Sequence, residues 1–138
     1  MSTYYARCLS NFFKVKDLEK FEEWISKFPE LETFGPELGA VEGETKDYVA
    51  FGSTEIGIPE YMPTEDGEDI EVDFISDLYK HLREGEVAIV QEIGNEKLLY
   101  FTGYSLVIDW QGNTKYFSIA DAYDWANEKY GREICRCD

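Results

Sequence analysis

The sequence predicts an α+β domain, an antiparallel sheet of about five or six strands with two or three helices packed on one face, and three observations lead there. From Val87 to Phe117 apolar-rich runs alternate with turn residues. Two segments, opening at Asp17 and at Asp73, carry apolar residues at helical spacing. The 138 residues are 43% hydrophobic and 16% aromatic, enough apolar mass for one domain spanning 1–138, which by size scaling buries roughly two thirds of its unfolded surface.

The first strand is predicted over Thr3 to Val15. Period-two alternation puts Tyr5, Leu9, Phe13 and Val15 on one side, Cys8 and Phe12 on the other. Asp17 then serves as N-cap of a helix whose Leu18, Phe21, Trp24, Ile25 and Phe28 lie within an arc of about 120°, and Pro29 stops it. Leu38–Val41 and Tyr48–Phe51 read as two short strands around a Gly-Glu-Thr-Lys turn. Ser53 to Glu71 holds two Gly and two Pro among many carboxylates and reads as an exposed acidic loop, about 53–72. Loops of about 20 residues inside a domain are usually functional or mobile.

Asp73 caps the second helix. Its buried stripe is Phe74, Ile75, Leu78 and Leu82, and Gly85 terminates it. Val87–Ile93, Leu98–Trp110 and Thr114–Phe117 form a meander with turns at Gly94-Asn95 and Gln111-Gly112-Asn113. Gly103 inside the longest strand suggests a bulge or bend. Ser118-Ile-Ala-Asp121 has the form of a capping box and opens a last helix, with Ile119, Ala122, Tyr123, Ala126 and Tyr130 opposite Asp121, Asp124 and Glu128.

Charge is the strongest functional signal. The net charge is −16, and the stretch Asp47 to Tyr79 carries ten carboxylates with no Lys or Arg. Disordered acidic chains lack aromatics; this chain has 22 of them, nine Phe, ten Tyr and three Trp. A folded surface of one sign attracts cationic proteins and repels nucleic acid and anionic lipid. The expected partner is thus a basic protein surface, including that of a nucleic-acid-binding protein, with no direct binding to nucleic acid or membrane. Glu55, Glu60, Glu65, Asp66, Glu68, Asp69, Glu71, Asp73 and Asp77 are the candidate contacts, Tyr61 and Met62 the apolar anchors, and Asp121, Asp124 and Glu128 an auxiliary patch.

Other chemistry is weakly specified. Asp73, Asp77 and His81 stand at i, i+4 and i+8, a spacing that on a helix aligns two carboxylates and the only imidazole for a divalent metal or an acid/base pair. Glu65-Asp-Gly-Glu-Asp69 lacks the register of a calcium loop. Cys135-Arg-Cys137, with Cys8 and His81, lacks the paired spacing of zinc modules. No phosphate loop, nucleophile elbow or HExxH is present. The chain therefore reads as non-enzymatic and without a cofactor. The N-terminus has no signal-peptide pattern and no run reaches the roughly 20 apolar residues of a membrane helix, so a cytoplasmic location with reduced cysteines is expected.

Ser10-Asn-Phe-Phe-Lys-Val-Lys-Asp17 with its aromatic-rich helix, Gly85-Glu-Val-Ala-Ile-Val, and Tyr104-Ser-Leu-Val-Ile resemble in layout small uncharacterised proteins encoded by bacterial phages and plasmids. That resemblance implies a mobile element, where compact acidic proteins include anti-restriction and anti-CRISPR inhibitors. It carries no functional residue with it. The leading expectation is an acidic interaction protein that mimics DNA; the alternatives are a structural or accessory protein of a mobile element whose acidity serves solubility, and a small metal-dependent enzyme centred on Asp77 and His81.

Overall fold

The computed structural model describes residues 4–35, 48–96 and 100–133. The described residues form a seven-stranded antiparallel sheet, a separate two-stranded ribbon and three helices. The α+β class stands, with a larger sheet than the sequence suggested. Strands β1 (Tyr4–Ser10), β2 (Phe13–Lys14), β3 (Glu32–Phe34), β4 (Tyr48–Ser53), β7 (Val87–Glu96), β8 (Tyr100–Asp109) and β9 (Thr114–Ser118) build it. Helices α1 (Leu18–Ile25), α2 (Phe74–Tyr79) and α3 (Asp121–Tyr130) and ribbon strands β5 (Tyr61–Pro63) and β6 (Asp69–Glu71) complete the chain. The Leu38–Val41 strand lies outside the described residues.

The meander β7–β8–β9 forms as the alternating pattern requires. Two details differ. Gly94 and Asn95 continue β7, pairing with Thr102 and Phe101, and are not the expected turn. Gly103 makes no bulge: it pairs in register with Ile93, and a side chain there would sit 3.2 Å from Ile119, whose N–H donates to the Gly103 carbonyl. The glycine is there for a close crossing.

The bulge occurs instead between β1 and β2. Leu9 pairs with Gly52, but Phe13 pairs with Val49, so one extra residue lies on the β1–β2 side. Asn11 fills the break: its amide accepts from the Ile89 N–H at 2.7 Å and donates to the Val87 carbonyl at 3.0 Å, taking the place of ladder bonds. The Ser10 hydroxyl accepts from the Phe51 N–H at 2.9 Å. An inserted residue reverses the facing of everything after it. Cys8 and Ser10 therefore face the core before the bulge and Phe13 and Val15 after it, while Leu9, expected inside, is 55% exposed.

Both caps form as expected. Asp17 accepts from the Lys20 N–H and Asp73 from the Ser76 N–H, each at 3.2 Å. Helix α1 buries Phe21 and Ile25, and α2 buries Phe74 and Leu78, against Phe13, Phe51, Val90 and Ile108 of the sheet. Between the helices, the Trp24 indole stacks on Phe74 (4.8 Å between centroids, 29°) and on His81 (4.9 Å, 24°), and Phe28 meets both Trp24 and Phe74 edge to face. Helix α3 differs from expectation, for none of its residues is buried. Its capping box is half formed: Asp121 accepts from the Ser118 N–H at 3.0 Å, while the Ser118 hydroxyl accepts from Ala120 instead of the third helical residue.

Because Trp24 touches both helices' aromatic partners, Trp24→Ala should lower unfolding stability by about 3 kcal/mol, at the low end for aromatic truncation since the ring is half-buried. Leu18→Ala, on the same side but in the first turn of the helix, where the residue expected in the buried stripe is 44% exposed, should cost under about 0.5 kcal/mol. Urea unfolding followed by far-ultraviolet circular dichroism measures both, and equal losses would remove the stack from its central role.

Candidate acidic interface

The acidic segment begins where β4 ends. The Ser53 hydroxyl accepts from the Glu55 and Ile56 N–H groups at 3.0 and 3.1 Å, which turns the chain back over the sheet. Ile56 and Ile58 rest on the core, Pro59 is buried, and the Ile58 N–H donates to Glu92 Oε1 at 2.6 Å. The base of the acidic segment is thereby anchored.

What the sequence suggested as a loop then becomes a β-ribbon. Tyr61 pairs with Glu71, Met62 with Ile70 and Pro63 with Asp69. The five-residue connection is closed by Thr64, which donates through its N–H and its hydroxyl to the Glu68 carbonyl at 2.9 and 2.6 Å. Gly67 adopts φ 82°, a value that favours glycine. At the foot, the Val72 N–H donates to the Glu60 carbonyl at 2.9 Å. Alternation sets the two faces: Met62 and Val72 pack on the core, leaving Tyr61, Pro63, Asp69 and Glu71 outward.

Glu55, Glu60, Glu65, Asp66, Glu68, Asp69 and Glu71 are all exposed, and none of their carboxylates pairs with a cation among the described residues. Tyr61, 56% exposed and directly opposite Glu71, faces solvent as expected. Met62 does not, because it faces the core. Asp73 and Asp77 belong to α2 and are engaged there. Asp73 takes hydrogen bonds from the Ser76 hydroxyl (2.8 Å) and N–H, which hold its carboxyl below the usual carboxylate range, and Asp77 lies 3.9 Å from Lys80. In the auxiliary patch Asp121 accepts from a backbone N–H, whereas Asp124 and Glu128 are simply exposed.

Two carboxylates escaped sequence reasoning. Glu30 and Glu92 join Glu55, Glu60 and Tyr61 around a cleft of about 460 Å³ between the ribbon and strands β1 and β7. Glu92 had a readable signal, since it occupies an inward position in the alternation Ala88, Val90, Glu92. Its charge also reaches Cys8: burial first, then Glu92, pushes that thiol up to about 11.

The Asp73, Asp77, His81 alignment does not form. Helix α2 ends at Tyr79, and His81 sits in the following turn with its carbonyl accepting from the Lys16 N–H at 2.9 Å and its ring against Trp24 and Phe21. Among the described residues no group of three or more His, Cys, Asp or Glu side chains is placed to hold a metal ion. Cys135 and Cys137 lie outside the described residues. No helix among the described residues is long and apolar enough to cross a membrane. No protein-family model matches the chain, and neither curated proteins nor solved structures show a significant similarity to it.

Two solution properties follow. Burial lowers the His81 pKa from 6.5, Lys16 adding to the effect and Asp77 opposing it. The unfolded chain therefore binds a proton before the folded one does. Stability linked to His81 is complete above the unfolded value of about 6.5 and is lost as pH falls from there toward the depressed folded value. His81→Phe should flatten the stability-pH curve in that window, measured by urea midpoints of the two proteins; parallel curves would show that the imidazole is not the group responsible. Unpaired carboxylates also repel one another, so added salt near 0.1 M, with a Debye length of about 10 Å, should raise the melting temperature. A flat or falling calorimetric midpoint would mean that the charges are neutralised internally.

Proposed function

We propose that this chain acts by binding and not by catalysis: the acidic ribbon docks on a Lys- and Arg-rich surface, standing in for DNA and blocking a nucleic-acid-binding protein. One observation carries the reading, seven exposed carboxylates from Glu55 to Glu71, without a cationic partner among the described residues, at the foot, in the turn and on a strand of a folded ribbon. Asp69 and Glu71 stand two residues apart on β6, about 7 Å at a rise of about 3.4 Å per residue, and Glu65, Asp66 and Glu68 crowd the turn beside them, a concentration of charge of the kind that duplex DNA presents. A folded support lowers the ordering cost that a disordered acidic tail bears on binding. Tyr61 supplies the aromatic contact that dominates many interfaces. An inhibitor of host defence or regulation carried by a phage or plasmid is the setting that suits such a protein.

Neutralising Glu65, Asp66, Glu68 and Asp69 together to Gln or Asn tests this reading on a partner retained by the immobilised protein at low salt. Exposed ion pairs contribute about 0.2–1 kcal/mol each, so the four changes should weaken binding by up to roughly 4 kcal/mol, nearly a thousandfold. Far-ultraviolet dichroism should stay unchanged, duplex DNA should compete for the partner, and binding should weaken as salt rises. A partner that tolerates all four changes, or holds DNA and this protein at once, would instead assign the acidity to solubility alone.

A further inference from the structure

The sheet has two faces, and only one of them carries α1 and α2. On the opposite face Leu9 and Ile93 are 55% and 59% exposed, Phe117 is 49% exposed, and Val87 and Ile89 are each 37% exposed. Register places them together: Leu9, Gln91, Ser105 and Phe117 form one cross-strand row, with Ile89 and Ile93 on either side of Gln91 along β7. A contiguous apolar patch of this kind on a soluble domain marks an interaction surface.

Charge identifies the occupant. By the same register the described charged residues of this face are Arg7, Lys14, Lys115, Glu32 and Asp109, three cationic and two anionic, on a chain of net charge −16. Asp109 is taken up by the turn it closes, accepting from Gln111 and Asn113 at 2.9 Å. Arg7 and Glu32 make no ion pair with a described residue. They flank β4, whose outward positions Ala50 and Gly52 are small, so that a groove of about 310 Å³ runs between Leu9 and Ile93 on one side and Phe34 on the other.

We infer that this face joins two copies of the chain back to back. Two strongly anionic molecules repel over most of their surface and can approach most closely where each is apolar and carries no excess of negative charge. A two-fold interface must also complement itself. A two-fold axis lying in the interface along the groove brings Arg7 of each copy over Glu32 of the other, pairing two charges that have no ion-pair partner among the described residues of one chain. Both acidic ribbons, which pack from the helix-bearing side, stay free in such a dimer, and two ribbons can engage one repetitive cationic surface with the added affinity of bivalency.

Sedimentation velocity of the intact protein across the micromolar range tests the inference. A reversible dimer is expected, strengthened by salt because screening relieves repulsion between the copies. Ile93→Asp, at a largely exposed position, should raise the dimer dissociation constant at least tenfold with unchanged melting temperature. Arg7→Glu alone should do the same, and Arg7→Glu with Glu32→Arg should restore dimerisation. A monomer at every concentration and salt would overturn the inference, as would a dimer that ignores Ile93→Asp and is broken by neutralising the ribbon, or a failure of the charge exchange to rescue.

Discussion

Everything the acidic ribbon needs rests on the aromatic stack of Phe74, Trp24 and His81. The indole lies between one ring from the start of α2 and another from the turn after it, so a single side chain of α1 clamps both ends of that six-residue helix. A helix so short has little stability of its own. Its position comes from the burial of Phe74, Leu78 and Leu82 and from the backbone pairing of residues 81–83 with 14–16 that the clamp permits. The ribbon enters α2 one residue after Val72, so the geometry of the carboxylates is inherited from that aromatic contact.

The same arrangement explains how this chain tolerates its charge. Repulsion among clustered carboxylates opposes compaction, yet the acidic segment has apolar footholds at intervals, Ile56, Ile58, Met62 and Val72, each resting on the core. Between them the backbone is satisfied locally by Ser53, Thr64 and Glu92. The carboxylates are thus carried on a support fixed from below, and their repulsion is directed into solvent. His81, the most obvious chemical group in the sequence, turns out to be part of this support: its ring is a packing surface for Trp24 and Phe21, and its carbonyl holds Lys16.

The parts legible in the sequence were those governed by short-range rules. Asp17 and Asp73 cap helices because a carboxylate three residues before a free N–H is a local geometry. The β7–β8–β9 meander follows from alternation and from Gly112, whose φ of 89° few other residues adopt readily. The acidic residues were legible as a group, and Tyr61 as an exposed side chain among them. Met62 was not, because its facing depends on ribbon pairing with Ile70 that an apparent loop does not announce. The inward place of Glu92 was readable from alternation, but its partner was not, because Ile58 is distant along the chain.

The sequence by itself determined the class of fold, the caps, the meander, the apolar inventory of the core and the concentration of negative charge between Asp47 and Tyr79, because composition, periodicity and capping act within a few residues. Tertiary structure alone decided the one-residue bulge at Asn11, and with it that Leu9 faces outward while Phe13 faces inward. It decided that His81 packs against Trp24 and Phe21 in place of the alternative metal or acid/base role, that the acidic stretch is a ribbon, and that Arg7 and Glu32 share a face. Each of these turns on the register between segments far apart in the chain, and a shift of one residue reverses which face every following side chain occupies. Register is set by which long-range pairing buries the most apolar surface with its polar groups satisfied, a quantity that belongs to the assembled sheet.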